Sequence, residues 1–186
     1  MRDVLPALDH VAPGWLTEVL RDQGYLQDGC VMAVHLQKTW PTALSMVAHL
    51  ESQYTAHALA PLPSQLFLKT SRPDCVVDFP LRGQKEVAFY TRIAATVPAP
   101  LVVCRYGAVY APEAKKCHLV LEDMSASHFQ ATVWPLPPVE SQCVQAINCR
   151  AQLHAHWWDH TSLAQAMGAR PNEIFIQRSF HMDGGS

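Results

Sequence analysis

Positive charge never accumulates in this sequence: no run of lysines and arginines occurs, and 14 Lys plus Arg stand against 16 Asp plus Glu, a formal net charge of −2. A nucleic-acid partner, which needs a basic stripe to displace counterions, is not expected. No stretch has the length and apolarity of a membrane span. The opening Met1-Arg2-Asp3-Val4-Leu5-Pro6 is broken by charge and proline where a signal peptide would be continuously apolar, so a cytoplasmic protein with no membrane contact is expected. The six cysteines, Cys30, Cys75, Cys104, Cys117, Cys143 and Cys149, form no CxxC and no regular framework, which leaves free buried thiols as the expectation. Gly-x-Gly-x-x-Gly and Gly-x-x-x-x-Gly-Lys are both missing, which removes dinucleotide and P-loop folds. No Gly-x-Ser-x-Gly elbow surrounds Ser125-Ala126-Ser127-His128, so a serine hydrolase is not expected either. Internal repeats and low-complexity tracts are also lacking.

What is present is core-forming material. Of 186 residues 49% are hydrophobic, enough for one medium domain or a domain with part of another. From Pro13 to Leu20, Trp15, Leu16, Val19 and Leu20 share a helical stripe, and Gly24 stands where a left-handed helix stop is favoured. Residues 31–39 alternate with Met32, Val34 and Leu36 on one face, and residues 46–54 do the same with Met46, Ala48 and Leu50, so two antiparallel strands are predicted. A third strand, Gln65-Leu66-Phe67-Leu68-Lys69, follows the Pro61/Pro63 turn. Residues 71–82 read as a loop, and Gly83 leads into a helix on which Val87, Tyr90, Ile93 and Ala94 share a face. Two further strands are predicted at 101–110 and 117–121. Composition shifts after Asp123, through Trp134-Pro135-Leu136-Pro137-Pro138, to a helix carrying Cys143, Ile147, Ala151, His154 and Trp158 on one stripe. A lobe boundary is therefore placed near Asp123, giving 1–123 and 124–186.

The chemistry lies in the order of these parts. Lys69 closes the third strand, and Glu86 follows on the next helix, seventeen positions later. A lysine on a half-buried strand needs an anionic partner, and a glutamate on a packed helix supplies one. Lys69 would bridge the α and β phosphates of a nucleotide, with Glu86 orienting it. Phe67, two residues earlier on the same side of the strand, would form an apolar roof for adenine. Leu121, Glu122, Asp123 and Met124 would be the connector whose backbone groups meet the adenine edge.

Five segments together carry a family resemblance: Leu66-Phe67-Leu68-Lys69, Lys85-Glu86-Val87-Ala88-Phe89-Tyr90, Leu119-Val120-Leu121-Glu122-Asp123-Met124-Ser125, Trp134-Pro135-Leu136-Pro137-Pro138 and Leu153-His154-Ala155-His156-Trp157-Trp158. They resemble the aminoglycoside phosphotransferase-like enzymes, most closely the ecdysteroid kinase-like and choline kinase-like branch, over about residues 10–165. The resemblance implies an α+β, protein kinase-like fold: a five-stranded antiparallel sheet with one packed helix in a nucleotide-binding lobe, then the first helical part of a second lobe. It implies transfer of the ATP γ-phosphoryl to a hydroxyl of a small-molecule alcohol, with magnesium.

Two departures qualify it. The turn at 39–45 contains no glycine, where the family brings backbone amides close to phosphate; the Thr42 and Ser45 hydroxyls are the available substitutes. The family's His-x-Asp catalytic loop, downstream Asn and metal-binding Asp lie beyond this sequence, and His181-Met182-Asp183 follows the preceding helix too closely to replace them. The expectation is an N-terminal fragment that is inactive alone, with no catalytic residue and no metal ligand of its own. The competing expectation is a noncatalytic nucleotide-binding or protein-interaction module. His156 and His160, one helical turn apart beside Asp159, lack an evident third convergent ligand and are not expected to bind metal; His154 on the apolar stripe reads as a hydrogen-bonded core histidine, and Trp157 and Trp158 as packing.

Overall fold

The computed structural model of the chain describes residues 4–42, 44–58, 62–72, 80–97, 103–128, 138–158 and 160. Five strands, β1 (Val31–Pro41), β2 (Ser45–Tyr54), β3 (Gln65–Ser71), β4 (Arg105–Ala111) and β5 (Lys116–Glu122), form one antiparallel sheet in the order β1-β2-β3-β5-β4. Among the described residues three α-helices accompany it: α1 (Pro13–Asp22), α2 (Pro80–Ala88) and α3 (Glu140–Trp157). α2 continues through a π-helical turn, Phe89–Ile93, and a 3-10 turn, Ala94–Thr96. The architecture is mixed α+β. Because α2 intervenes between β3 and β4, the chain reaches the far edge of the sheet first, and β5 returns to fill the gap beside β3.

Side chains alternate across each strand, so one face of the sheet can be a pure core. The back face presents Ala48, Leu50, Leu66, Leu68 and Val120, all fully buried, against Leu16, Val19 and Leu20 of α1. Pro13 opens α1 in its first turn, where its missing N–H is harmless, and the Thr17 hydroxyl donates to the Pro13 carbonyl at 2.8 Å while accepting the Val31 amide at 2.9 Å. That second bond ties the helix to the start of β1. Gly107 lets α1 come close, since a Cβ built there would lie 2.5 Å from Val19 Cγ1. His118 is buried on this side, accepting the Leu5 amide on Nδ1 at 2.9 Å with the Trp15 ring set edge-on to it.

Several expectations need correction. Met32 and Leu36 are exposed, because β1 is an edge strand whose pairing slips twice, between Val31 and Ala33 and between Leu36 and Lys38. β4 begins at Arg105; positions 101 and 102 lie outside the described residues. α2 starts at Pro80, before Gly83, and Gly83 sits inside the helix where it crosses β5: a Cβ there would lie 2.9 Å from Cys117 Sγ. α3 buries no residue; Val144, Ile147 and Trp158 are exposed, and so is His154, which is not a core histidine. The described cysteines are free, but only Cys117 is buried, while Cys143 and Cys149 on α3 are exposed. Cys75, Asp159, Trp134 to Pro137 and the 181–183 triplet lie outside the described residues. No helix among the described residues is long and apolar enough to cross a membrane.

Candidate functional site

The front face of the sheet, under α2, carries the chemistry. Strand register arranges it in rungs: Trp40, Val47, Lys69, Leu119 and Ala108 form one, and Lys38, His49, Phe67 and Leu121 form the next. The Lys69 rung is the nearer to the β1–β2 hairpin turn; the Phe67 rung is the nearer to the chain leaving β5. A second core of Val87, Cys117, Leu119 and Leu121, with Tyr90 and Phe67 packed on it, seats α2 against this face. Burial, reinforced by the Glu86 carboxylate, pushes the Tyr90 phenol up and keeps it neutral.

α2 brings Glu86 over Lys69. The Lys69 ammonium donates to both carboxylate oxygens, at 2.7 and 2.8 Å, with the two side chains 27% and 32% exposed. An ammonium has three N–H donors, so one remains directed elsewhere, at a position solvent still reaches. A pair this exposed adds only about 0–1 kcal/mol to stability. It holds a preoriented positive charge at the surface of the front face, which suits recognition of an anion better than it suits a core.

Asp123 and Met124 follow β5 directly. Burial pushes the Asp123 carboxyl up, but hydrogen bonds from Ser125 and His49 outweigh it and leave the group below the ordinary aspartate range. Asp123 Oδ1 accepts the Ser125 amide at 2.8 Å, and Oδ2 accepts His49 Nδ1. An ionised carboxylate only accepts, so Nδ1 of His49 is the protonated nitrogen of this bond. The imidazole stands 5.1 Å from the Trp40 ring and 5.6 Å from the Phe67 ring, and those two rings lie 5.9 Å apart, three planar side chains in mutual contact. Beside them an open groove of about 620 Å³ is lined by Gln37, Lys38, His49, Gln65, Asp123 and Ser125.

The connector offers fewer backbone groups than its four residues suggest. The Glu122 amide donates to the Cys104 carbonyl at 2.9 Å, and the Met124 carbonyl accepts the Ser127 and His128 amides at 3.0 and 2.8 Å. Among the described residues, the Asp123 amide and carbonyl and the Met124 amide take no part in these bonds and can meet a ligand edge. Nor are the Thr42 and Ser45 hydroxyls offered outward. Thr42 Oγ1 donates to the Ser45 carbonyl at 3.1 Å and accepts the Ser45 amide at 3.0 Å, and the Ser45 side chain is buried. Arg72 then clasps the turn by donating from Nη1 to the Thr42 carbonyl at 3.1 Å. Among the described residues no three His, Cys, Asp or Glu side chains converge on a point that could hold a metal ion.

Thus Lys69, Glu86, Phe67, Leu121 and Asp123 are gathered on or beside one face; Glu122, paired with Leu66, shares the parity of the back face, and Met124 follows Asp123 in the chain leaving β5. Sequence reasoning missed Trp40 and His49. Their signal is parity with Phe67 and Lys69 across paired strands, which becomes visible only when the register is known. The molecule is, at this level, an α+β protein with a charged and aromatic sheet face under a helix. Compared with known proteins, the chain matches no protein-family model, no curated protein and no solved structure.

Proposed function

We propose that this chain carries the nucleotide-binding lobe of a small-molecule kinase with a protein kinase-like fold, an enzyme that passes the ATP γ-phosphoryl to an alcohol. The observation that carries the reading is the Lys69–Glu86 pair, an ammonium held by both oxygens of one carboxylate with a further N–H to spare. Its placement supports the same reading. The cation stands toward the hairpin turn and the aromatic group toward the connector, so a ligand with phosphates at one end and a planar base at the other matches both. ATP would lie with its base against Phe67 and Leu121 and its edge at the Asp123 and Met124 backbone, its phosphates at Lys69.

The chain's own contribution is binding and orientation. Lys69 neutralises phosphate charge, Glu86 prevents the ammonium from swinging away, and Phe67 excludes water from one face of the base. With the Thr42 and Ser45 hydroxyls not offered outward, the Lys69 ammonium is the phosphate contact of this reading. Magnesium would neutralise charge on the phosphates of a bound nucleotide.

Calorimetric titration of the chain with magnesium and ATP tests this. Wild type should bind, and Lys69→Met should bind about tenfold or more weakly while its unfolding midpoint moves little. Equal affinity for wild type and Lys69→Met removes Lys69 from the site; no binding by wild type removes the nucleotide reading.

A further inference from the structure

The bond between His49 and Asp123 joins residues 74 positions apart and has no evident role in the sheet. β2 is already paired along its length with β1 and β3, from Ser45 to Tyr54. Nothing in that ladder needs an extra tie to the chain beyond β5. The tie instead crosses the start of β3 on the front face, from the rung of Phe67 to the first residue after β5. Its carboxylate end is 7% exposed and its imidazole end 21%, so both partners give up much of their water to make it. Asp123 is fixed a second time by the Ser125 amide, which stops the carboxylate from rotating out of reach.

We propose that His49 is a positioning residue of the nucleotide site: by donating to Asp123 while packing against Phe67 and Trp40, it sets how far the connector stands from the sheet and hence the depth of the slot that takes the base. The inference rests on the nucleotide reading above and adds to it a residue that does not touch the phosphates. Three features carry it. The imidazole contacts both aromatic rings and also hydrogen-bonds Asp123 of the connector. It borders the 620 Å³ groove together with its partner Asp123. The Asp123 amide and carbonyl and the Met124 amide, connector groups that can meet a base, belong to the residue it holds and to the next one.

The charged neighbours on this face define what else bears on the bond. Lys38 faces His49 from β1 in register, with its ammonium 5.4 Å from the Trp40 ring, and Glu51 is held by Gln37. Neither replaces the His49 donor at Asp123. Loss of the imidazole therefore frees the connector without disturbing Lys69, one rung away, and weakening should fall on the base and not on the phosphates.

The test uses the full chain with two probes, ATP and inorganic tripolyphosphate, each with magnesium, competing against a fluorescent ATP analogue. His49→Ala should weaken ATP about tenfold and leave tripolyphosphate competition within about twofold. His49→Asn, whose amide nitrogen replaces Nδ1 as donor, should restore most of the ATP affinity. If His49→Ala does not fold, His49→Leu against His49→Asn gives the same contrast. Unchanged ATP affinity in the alanine or leucine variant overturns the proposal, as does equal loss of both probes or failure of asparagine to restore binding. Wild type that binds neither probe overturns the nucleotide reading itself and this inference with it, whereas a defect confined to the His49 variants' behaviour leaves that reading standing.

Discussion

The two faces of the sheet are made by the same strands and differ in kind. β3 sends Leu66, Leu68 and Thr70 to the back, where exposure is 2% or less, and Phe67, Lys69 and Ser71 to the front, where each is only partly buried. The back is closed by α1 through aliphatic packing. The front is covered by α2 through a smaller core, and it retains an ion pair, an aromatic group and a histidine–carboxylate bond. A period of two thus separates stability from recognition within seven residues. Changes at odd and even positions of β3 should therefore fall on different observables.

The largest effect is expected on the back. Leu68→Ala removes a fully buried side chain from the back-face core, and should cost about 2–5 kcal/mol in denaturant unfolding. A loss under about 1 kcal/mol would break the distinction between the faces. Next comes Gly107→Ala, which drives a methyl into Val19 and should cost about 1–3 kcal/mol by overpacking. On the front, Lys69→Met should change stability by no more than about 1 kcal/mol, because the pair it breaks is partly solvated.

The pH dependence sharpens the same contrast. The Asp123 carboxyl is depressed in the folded chain, so it contributes stability that is fully present above the ordinary aspartate range. That contribution is lost as pH falls through the depressed value. Asp123→Ala should flatten the decline of wild-type stability below about pH 4, measured by thermal unfolding, and an unaltered decline would remove Asp123 as a contributor. Smallest of all, Ile147→Lys on the exposed face of α3 should stay within about 0.5 kcal/mol. A larger loss would mean that this face is covered in the folded chain.

Much of this was legible in the residues. The stripe of α1, its Gly24 stop and the apolar run of β5 follow from periodicity, and the approach of Glu86 to Lys69 follows from placing a helix directly after the strand. The five strands were placed in order along the chain, and they pair antiparallel. What escaped depends on register. His49 is an ordinary alternating residue until β2 is set against β3 with His49 opposite Phe67, and the length of the intervening turn does not fix that pairing. The exposure of Met32 and Leu36 escaped for a related reason, since the two slips in β1 reset alternation locally. The start of α2 at Pro80 was hidden by polar residues that resemble a loop, with Gly83 read as a boundary where it is a close contact with Cys117. His154 reads as core because amphipathic spacing reports a capacity for burial, not the presence of a covering surface.

The most direct test is a double-mutant cycle on ATP binding with Lys69→Met and Glu86→Gln. If the carboxylate acts only by holding the ammonium, the double variant should bind no more than about twofold worse than Lys69→Met alone. Losses that simply add would contradict the account, showing that the two groups serve independent purposes on the front face.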